Sequence, residues 1–130
     1  MNIKPAYIIY SVFQNDKTSA ENARNHAHEM RYLSNAGIKY KQLKDVYNGV
    51  SELSLLVGWT PETETHVRNT CMLYSQESYL HSDANGLTTL NAPSGKVIAK
   101  LGKYKTLTQS EAKELDHSFD IETQQYFTYA

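Results

Sequence analysis

Asn48-Gly49 separates two strand-like runs, Ile38 to Tyr47 and Val50 to Trp59, and nothing else in the chain restricts its fold as strongly. Both central residues of a type I′ turn need positive φ, which Asn and Gly accept most readily, so the pair predicts a tight antiparallel hairpin. After the turn, Leu53, Leu55 and Val57 alternate with Glu52, Ser54 and Leu56. Such alternation sends the two sets to opposite faces of a strand. Before the turn, Tyr40, Gln42, Lys44 and Val46 share one face, and Lys39, Lys41, Leu43, Asp45 and Tyr47 share the other. Glu52 therefore opens a largely apolar strand, a few residues from Tyr47. Two readings of it stand open. It is a solvated strand-end carboxylate, or an acid held in a cleft to grip a cationic group.

The elements on either side follow from local signals. Ala6 to Phe13 is β-branched and aromatic almost throughout, as a strand covered on both faces should be. Thr18 or Ser19 caps a helix from about Ser19 to Asn35, and Gly37 stops it. Its expected buried stripe is Ala20, Ala23, Ala27, Met30 and Leu33 or Ser34. Thr60-Pro61-Glu62 starts a second helix reaching about Gln76, with Val67, Cys71, Tyr74 and either Met72 or Leu73 inward. Short strand-like runs then cover Ser78 to Ser82, Leu87 to Leu90, part of Lys96 to Lys105, Ser118 to Ile121 and Tyr126 to Tyr129. The order β-α-β-β-α-β predicts an α+β fold of ferredoxin-like (PII-like) type. It would have an antiparallel sheet, two helices on one face and extra C-terminal strands. The other sheet face would need a cover, and a second copy of this tyrosine-rich chain would supply it.

Composition excludes several functions. A chain of 130 residues is expected to form a single domain, residues 1–130. With 13 Lys and Arg against 14 Asp and Glu, it lacks the basic excess of a nucleic-acid binder. No apolar run is long enough to span a bilayer, and Met1 to Pro5 leads into a strand rather than resembling a signal peptide. The single Cys71 rules out an internal disulfide and suits a reducing cytoplasm. No phosphate loop, dinucleotide fingerprint, nucleophile elbow or zinc spacing is present. His26 and His28 are two residues apart and point to different sides of their helix, so no metal pair is expected there. His66 and Arg68 read as ordinary surface residues. What remains is ten tyrosines, one acid beside a turn and polar loops. That set suits a small ligand that is partly cationic and partly aromatic, bound without metal or cofactor.

A resemblance extends this reading. The strand Tyr7 to Phe13, the helical run Arg24-Asn25-His26-Ala27-His28-Glu29-Met30 and the turn from Tyr47 to Glu52 carry its first half. His81 to Leu90, Ala99 to Leu107 and the ending Ser118-Phe119-Asp120-Ile121 carry its second. Together they resemble the small phage-encoded enzymes that destroy S-adenosylmethionine, once classed as hydrolases and now as lyases. The resemblance implies a metal-independent, PII-like homotrimer with sites between subunits, acting in the host cytoplasm against restriction. It implies that the substrate's own carboxylate attacks its γ-carbon, releasing 5′-methylthioadenosine and homoserine lactone. Glu52 would grip the substrate ammonium, and Tyr40 or Tyr47 would lie near the sulfonium or orient the carboxylate. A competing reading is a non-enzymatic PII-like trimer that binds a small nucleotide, with the Asn48-Gly49 hairpin as its regulatory loop. A third is an inhibitor that blocks a host enzyme by contact.

Overall fold

The computed structural model describes residues 6–130, so the expected lack of a signal peptide at Met1 to Pro5 lies outside the described residues. The chain runs β1 (Tyr7–Tyr10), α1 (Ser19–Asn35), β2 (Tyr40–Tyr47), β3 (Val50–Gly58), α2 (Pro61–Leu73) and β4 (Tyr79–Ser82). It continues with β5 (Thr88–Asn91), β6 (Val97–Lys100), β7 (Tyr104–Leu107), α3 (Gln109–Ala112), β8 (His117–Asp120) and β9 (Gln125–Tyr129). Asn48 and Gly49 adopt φ of 51° and 78°, as the turn requires. The register counts outward from that turn, pairing Tyr47 with Val50, Asp45 with Glu52 and Tyr40 with Val57.

The ferredoxin-like expectation is overturned. All nine strands form one antiparallel sheet, ordered β6-β5-β4-β1-β3-β2-β8-β9-β7. The later strands do not trail behind a small two-layer domain. They extend the sheet from both sides, β5 and β6 beside β4, and β8, β9 and β7 beside β2. The enlarged sheet curls into a half-barrel. Its two edge strands, β6 and β7, are joined by residues 101–103 alone, with Leu101 N–H bonded to Thr88 and Lys103 exchanging both backbone bonds with Ala130. Sequence periodicity reports local order only, and which free edges the tail strands would find is a non-local outcome.

The curl produces two cores. On the convex side, α1 and α2 bury Leu33, Val67 and Cys71 against Ile8, Tyr10, Leu55, Val57 and Tyr79. On the concave side, Tyr7, Ile9, Leu43, Leu56, Leu80 and Phe127 pack together, flanked by Leu90, Leu101, Tyr104 and Tyr129. The Tyr7 and Tyr129 hydroxyls meet at 2.7 Å across this inner face. The chain's own tail therefore covers the face for which a second copy was expected.

The helices begin as predicted but bury different residues. Thr18 caps α1 with Glu21 completing a capping box, and Thr60 caps α2 with Pro61 at its start. The buried stripe of α1 is Asn22, His26, Glu29 and Leu33, while Ala20, Ala23 and Ala27 are exposed. Each of the three polar residues finds a partner that outweighs the small apolar gain of an alanine. Asn22 bonds the Gln14 backbone in both directions, His26 meets Gln42 at 3.1 Å, and Glu29 meets Tyr10 at 2.6 Å. On α2, Met72 and Leu73 are exposed rather than inward. Neither His66 nor Arg68 is an idle surface group. His66 meets Glu29 at 2.7 Å, and Arg68 donates to the Pro93 and Ser94 carbonyls. Among the described residues no helix is long and apolar enough to cross a membrane.

Candidate active site

A cleft of about 590 Å³ opens at the turn end of the β2–β3 hairpin, where the concave face meets solvent. Pleating decides its chemistry. Leu43 and Leu56 point into the concave core, so Asp45 and Tyr47 follow on the same face of β2, and Ser54 and Glu52 on the same face of β3. Asp45 stands opposite Glu52 on one side and opposite Ser118 of β8 on the other. Ser118 donates to Asp45 Oδ1 at 2.6 Å. The turn itself is held down by Asn48 N–H donating to Asp116 at 3.0 Å. Tyr129 of β9 completes the far wall.

Among the described residues, three carboxylates line this cleft, Asp45, Glu52 and Asp116, and no Lys, Arg or His side chain does. Two of them face each other across one strand pair, an arrangement that costs stability when both are ionised. Three ion pairs occur among the described residues, and none involves Asp45 or Glu52. The contrast with Asp120 is direct. It lies on the same inner face and is matched by Lys41 at 3.4 Å. Burial, and then the charge of Asp45, push the Glu52 carboxyl up to about 7. Burial likewise raises Asp45, against the opposing influence of the Ser118 and Ser54 hydroxyls. Tyr47 is pushed up to about 12 by burial, then by Asp45, Asp116 and Glu52, so it stays a neutral phenol. Ser54 Oγ lies beside Asp45 but is buried without a hydrogen-bond partner.

The predicted residues separate. Glu52 and Tyr47 line the cleft together. Tyr40 does not; it packs against the convex core under the helices. Glu52 is partly exposed, and burial perturbs its carboxyl. Asp45, Ser54, Ser118 and Asp116 were not singled out from sequence. Counting outward from the two-residue turn would have placed Asp45 opposite Glu52. Nothing local could have brought Ser118 or Tyr129 to them.

A family model described as the S-adenosylmethionine lyase family matches residues 8–130. The chain belongs to that family. No match is found among curated proteins. Membership makes it an enzyme with S-adenosylmethionine lyase activity and S-adenosylmethionine as its substrate. That substrate carries an ammonium, a sulfonium and a carboxylate, and the described residues of the cleft offer carboxylates with no basic side chain among them.

Proposed function

We propose that this S-adenosylmethionine lyase family member cleaves its substrate into 5′-methylthioadenosine and homoserine lactone by attack of the substrate's own carboxylate on its γ-carbon. The C–O bond forms as the C–S bond breaks, and the electron pair of that bond neutralises the sulfonium. No proton moves and no water is activated, so the reaction asks for no metal and no general base. The observation that carries the reading is the absence of any basic side chain among the described residues lining the cleft. A lysine or arginine there would pair with the substrate carboxylate and blunt it as a nucleophile. Without one, the carboxylate remains free to fold back onto the γ-carbon.

In this reading Glu52 accepts from the substrate ammonium and fixes one end of the chain. Tyr47, a neutral phenol on the same face, presents its ring and hydroxyl to the sulfonium and the reacting carboxylate. Holding the folded conformer replaces an improbable encounter by a positioned one, an effect that contributes several kcal/mol, up to about 7–11 in well-oriented systems. Stripping water from two charges that cancel in the transition state adds to it. Tyr40, on the opposite face, is left out of the site. The proposed assembly is a homotrimer with sites between subunits. Its support is the half-exposed Tyr47 and the exposed Val50 at the mouth of the cleft, which a neighbouring copy would cover. The biological consequence would be depletion of the methyl donor in a host cytoplasm, opposing restriction.

The test is the reaction in oxygen-18 water with early trapping. The proposal expects unlabelled homoserine lactone as first product, since its ring oxygen comes from the substrate. Homoserine labelled on its γ-hydroxyl from the outset overturns it in favour of attack by water. Light scattering that finds a monomer at micromolar concentration removes the trimer.

A further inference from the structure

We propose that Asp45 and Ser54 complete, with Glu52, a three-acceptor pocket for the substrate α-ammonium, and that this pocket selects a primary ammonium over alkylated or missing ones. The inference rests on the proposed reading of the site, because it assigns the ligand group that the acceptors meet. An ammonium bearing three hydrogens is a three-fold donor, and each hydrogen needs an acceptor once water is removed. Glu52 supplies one acceptor. Asp45 has given Oδ1 to the Ser118 hydroxyl, which leaves lone pairs on its carboxylate for a further donor. Ser54 is 1 % exposed, yet its Oγ has no partner. A buried hydroxyl left unpaired weakens the fold, so its retention in the wall of a cleft marks a position that a ligand satisfies.

The three groups are neighbours by construction. Glu52 and Asp45 are opposed across the β2–β3 ladder, where side chains on one face have Cβ atoms about 4.5–5.5 Å apart. Ser54 follows Glu52 on the same face, about 7 Å along the strand. Two opposed carboxylates repel when the site is empty, and a cation between them reverses the sign of that interaction. Ser118 holds Asp45 at the correct angle from the adjoining strand. A methyl group on the nitrogen would remove one donor and push against the wall that Ser54 forms.

Calorimetric titration with S-adenosylhomocysteine tests the pocket without turnover, since this thioether keeps the ammonium and lacks the sulfonium. Its N-methyl and deamino counterparts are the comparison ligands. Ser54→Ala and Asp45→Asn should each weaken the parent thioether by about tenfold and leave the deamino compound unaffected. The wild-type preference for the primary ammonium over its N-methyl form should collapse towards unity in Ser54→Ala. That variant deletes an unpaired hydroxyl, so its melting temperature should match or exceed that of the wild type, which separates binding loss from misfolding. Unchanged binding in both variants, or an unchanged preference in Ser54→Ala, overturns the pocket. The two readings also fail separately. A wild type that binds the thioether through this pocket but releases no methylthioadenosine refutes the lyase chemistry alone. Normal turnover with indifferent variants refutes the pocket alone.

Discussion

Two glutamates, on opposite faces of one sheet, show how the same side chain is put to opposite uses. Glu29, beneath the helices, is 4 % exposed and shares its Oε2 between the Tyr10 hydroxyl at 2.6 Å and His66 at 2.7 Å. Tyr32 stacks on that imidazole with ring centroids 4.1 Å apart. Burial alone would raise the Glu29 carboxyl, but the bonds from His66 and Tyr10 outweigh it and the carboxyl is lowered. Glu52, on the concave face, has burial and a neighbouring acid but no donor among the described residues, and its carboxyl rises to about 7. Glu29 has its partners inside the protein, whereas Glu52 has none among the described residues and, in the proposed reading, meets the substrate ammonium. Polar groups that the fold satisfies contribute structure, and those it leaves unsatisfied in a cleft are available for binding.

The largest expected effect breaks the functional side of this comparison. Glu52→Gln keeps the shape and removes the charge that, in the proposed reading, meets the ammonium. Losing one partner of a desolvated charged pair costs about 3–5 kcal/mol, so kcat/KM should fall by two orders of magnitude or more. Retention of wild-type kcat/KM in a folded Gln variant would remove Glu52 from the site. Glu29→Ala attacks the other side. It strands the Tyr10 hydroxyl and breaks the His66 pair, which should lower unfolding stability by about 2–3 kcal/mol in a urea titration. Its kcat/KM per folded molecule should be unchanged. A matching loss of activity would mean that the two faces are coupled.

Smaller effects sharpen the contrast. Tyr47→Phe should lower kcat about tenfold, roughly 1.4 kcal/mol, while Tyr40→Phe, on the helix side, should leave it unaltered. Equal effects from both would contradict the division of faces. The pH dependence of the wild type should show kcat/KM rising with pH to a plateau, half-maximal near pH 7, as Glu52 ionises. That limb should be missing in Glu52→Gln. Stability should move the opposite way. The folded Glu52 carboxyl holds its proton more tightly than the unfolded one, so its ionisation costs stability as pH rises from about 4.5 to about 7. Glu52→Gln should therefore melt with the wild type near pH 4.5 and a few degrees above it at pH 8. The gain is about 1 kcal/mol after allowance for the partial exposure of the group. A variant less stable than the wild type at pH 8 would show that the carboxylate is not held at a cost.

Much of the local structure was legible in the residues. Asn48-Gly49 specified a hairpin, and with it the alternation that separates Tyr40 from Tyr47 and the register that opposes Asp45 to Glu52. Thr18 and Thr60 specified where two helices begin. These signals are readable because each depends on contacts within a few residues: a φ preference, a cap, a pleat. The burial of α1 was misread because apolarity was taken as the guide, while the stripe that enters the core is polar and is stabilised by partners on β1, β2 and α2.

What the sequence determined by itself is a hairpin carrying one acid and one tyrosine on a shared face, two capped helices and a set of short strands in known order. Tertiary structure alone decided which edges those strands join. Backbone hydrogen bonding along a strand edge is the same for almost any partner, so choice of edge is made by how the whole apolar surface is best covered. Here that choice sends β8 and β9 beside β2 and curls the sheet over its own inner face. It thereby sets Ser118 and Tyr129 against the hairpin and shuts Asp45 away from water. Only after that closure is Glu52 desolvated beside a like charge, and only then is an ordinary strand-end carboxyl pushed up to about 7.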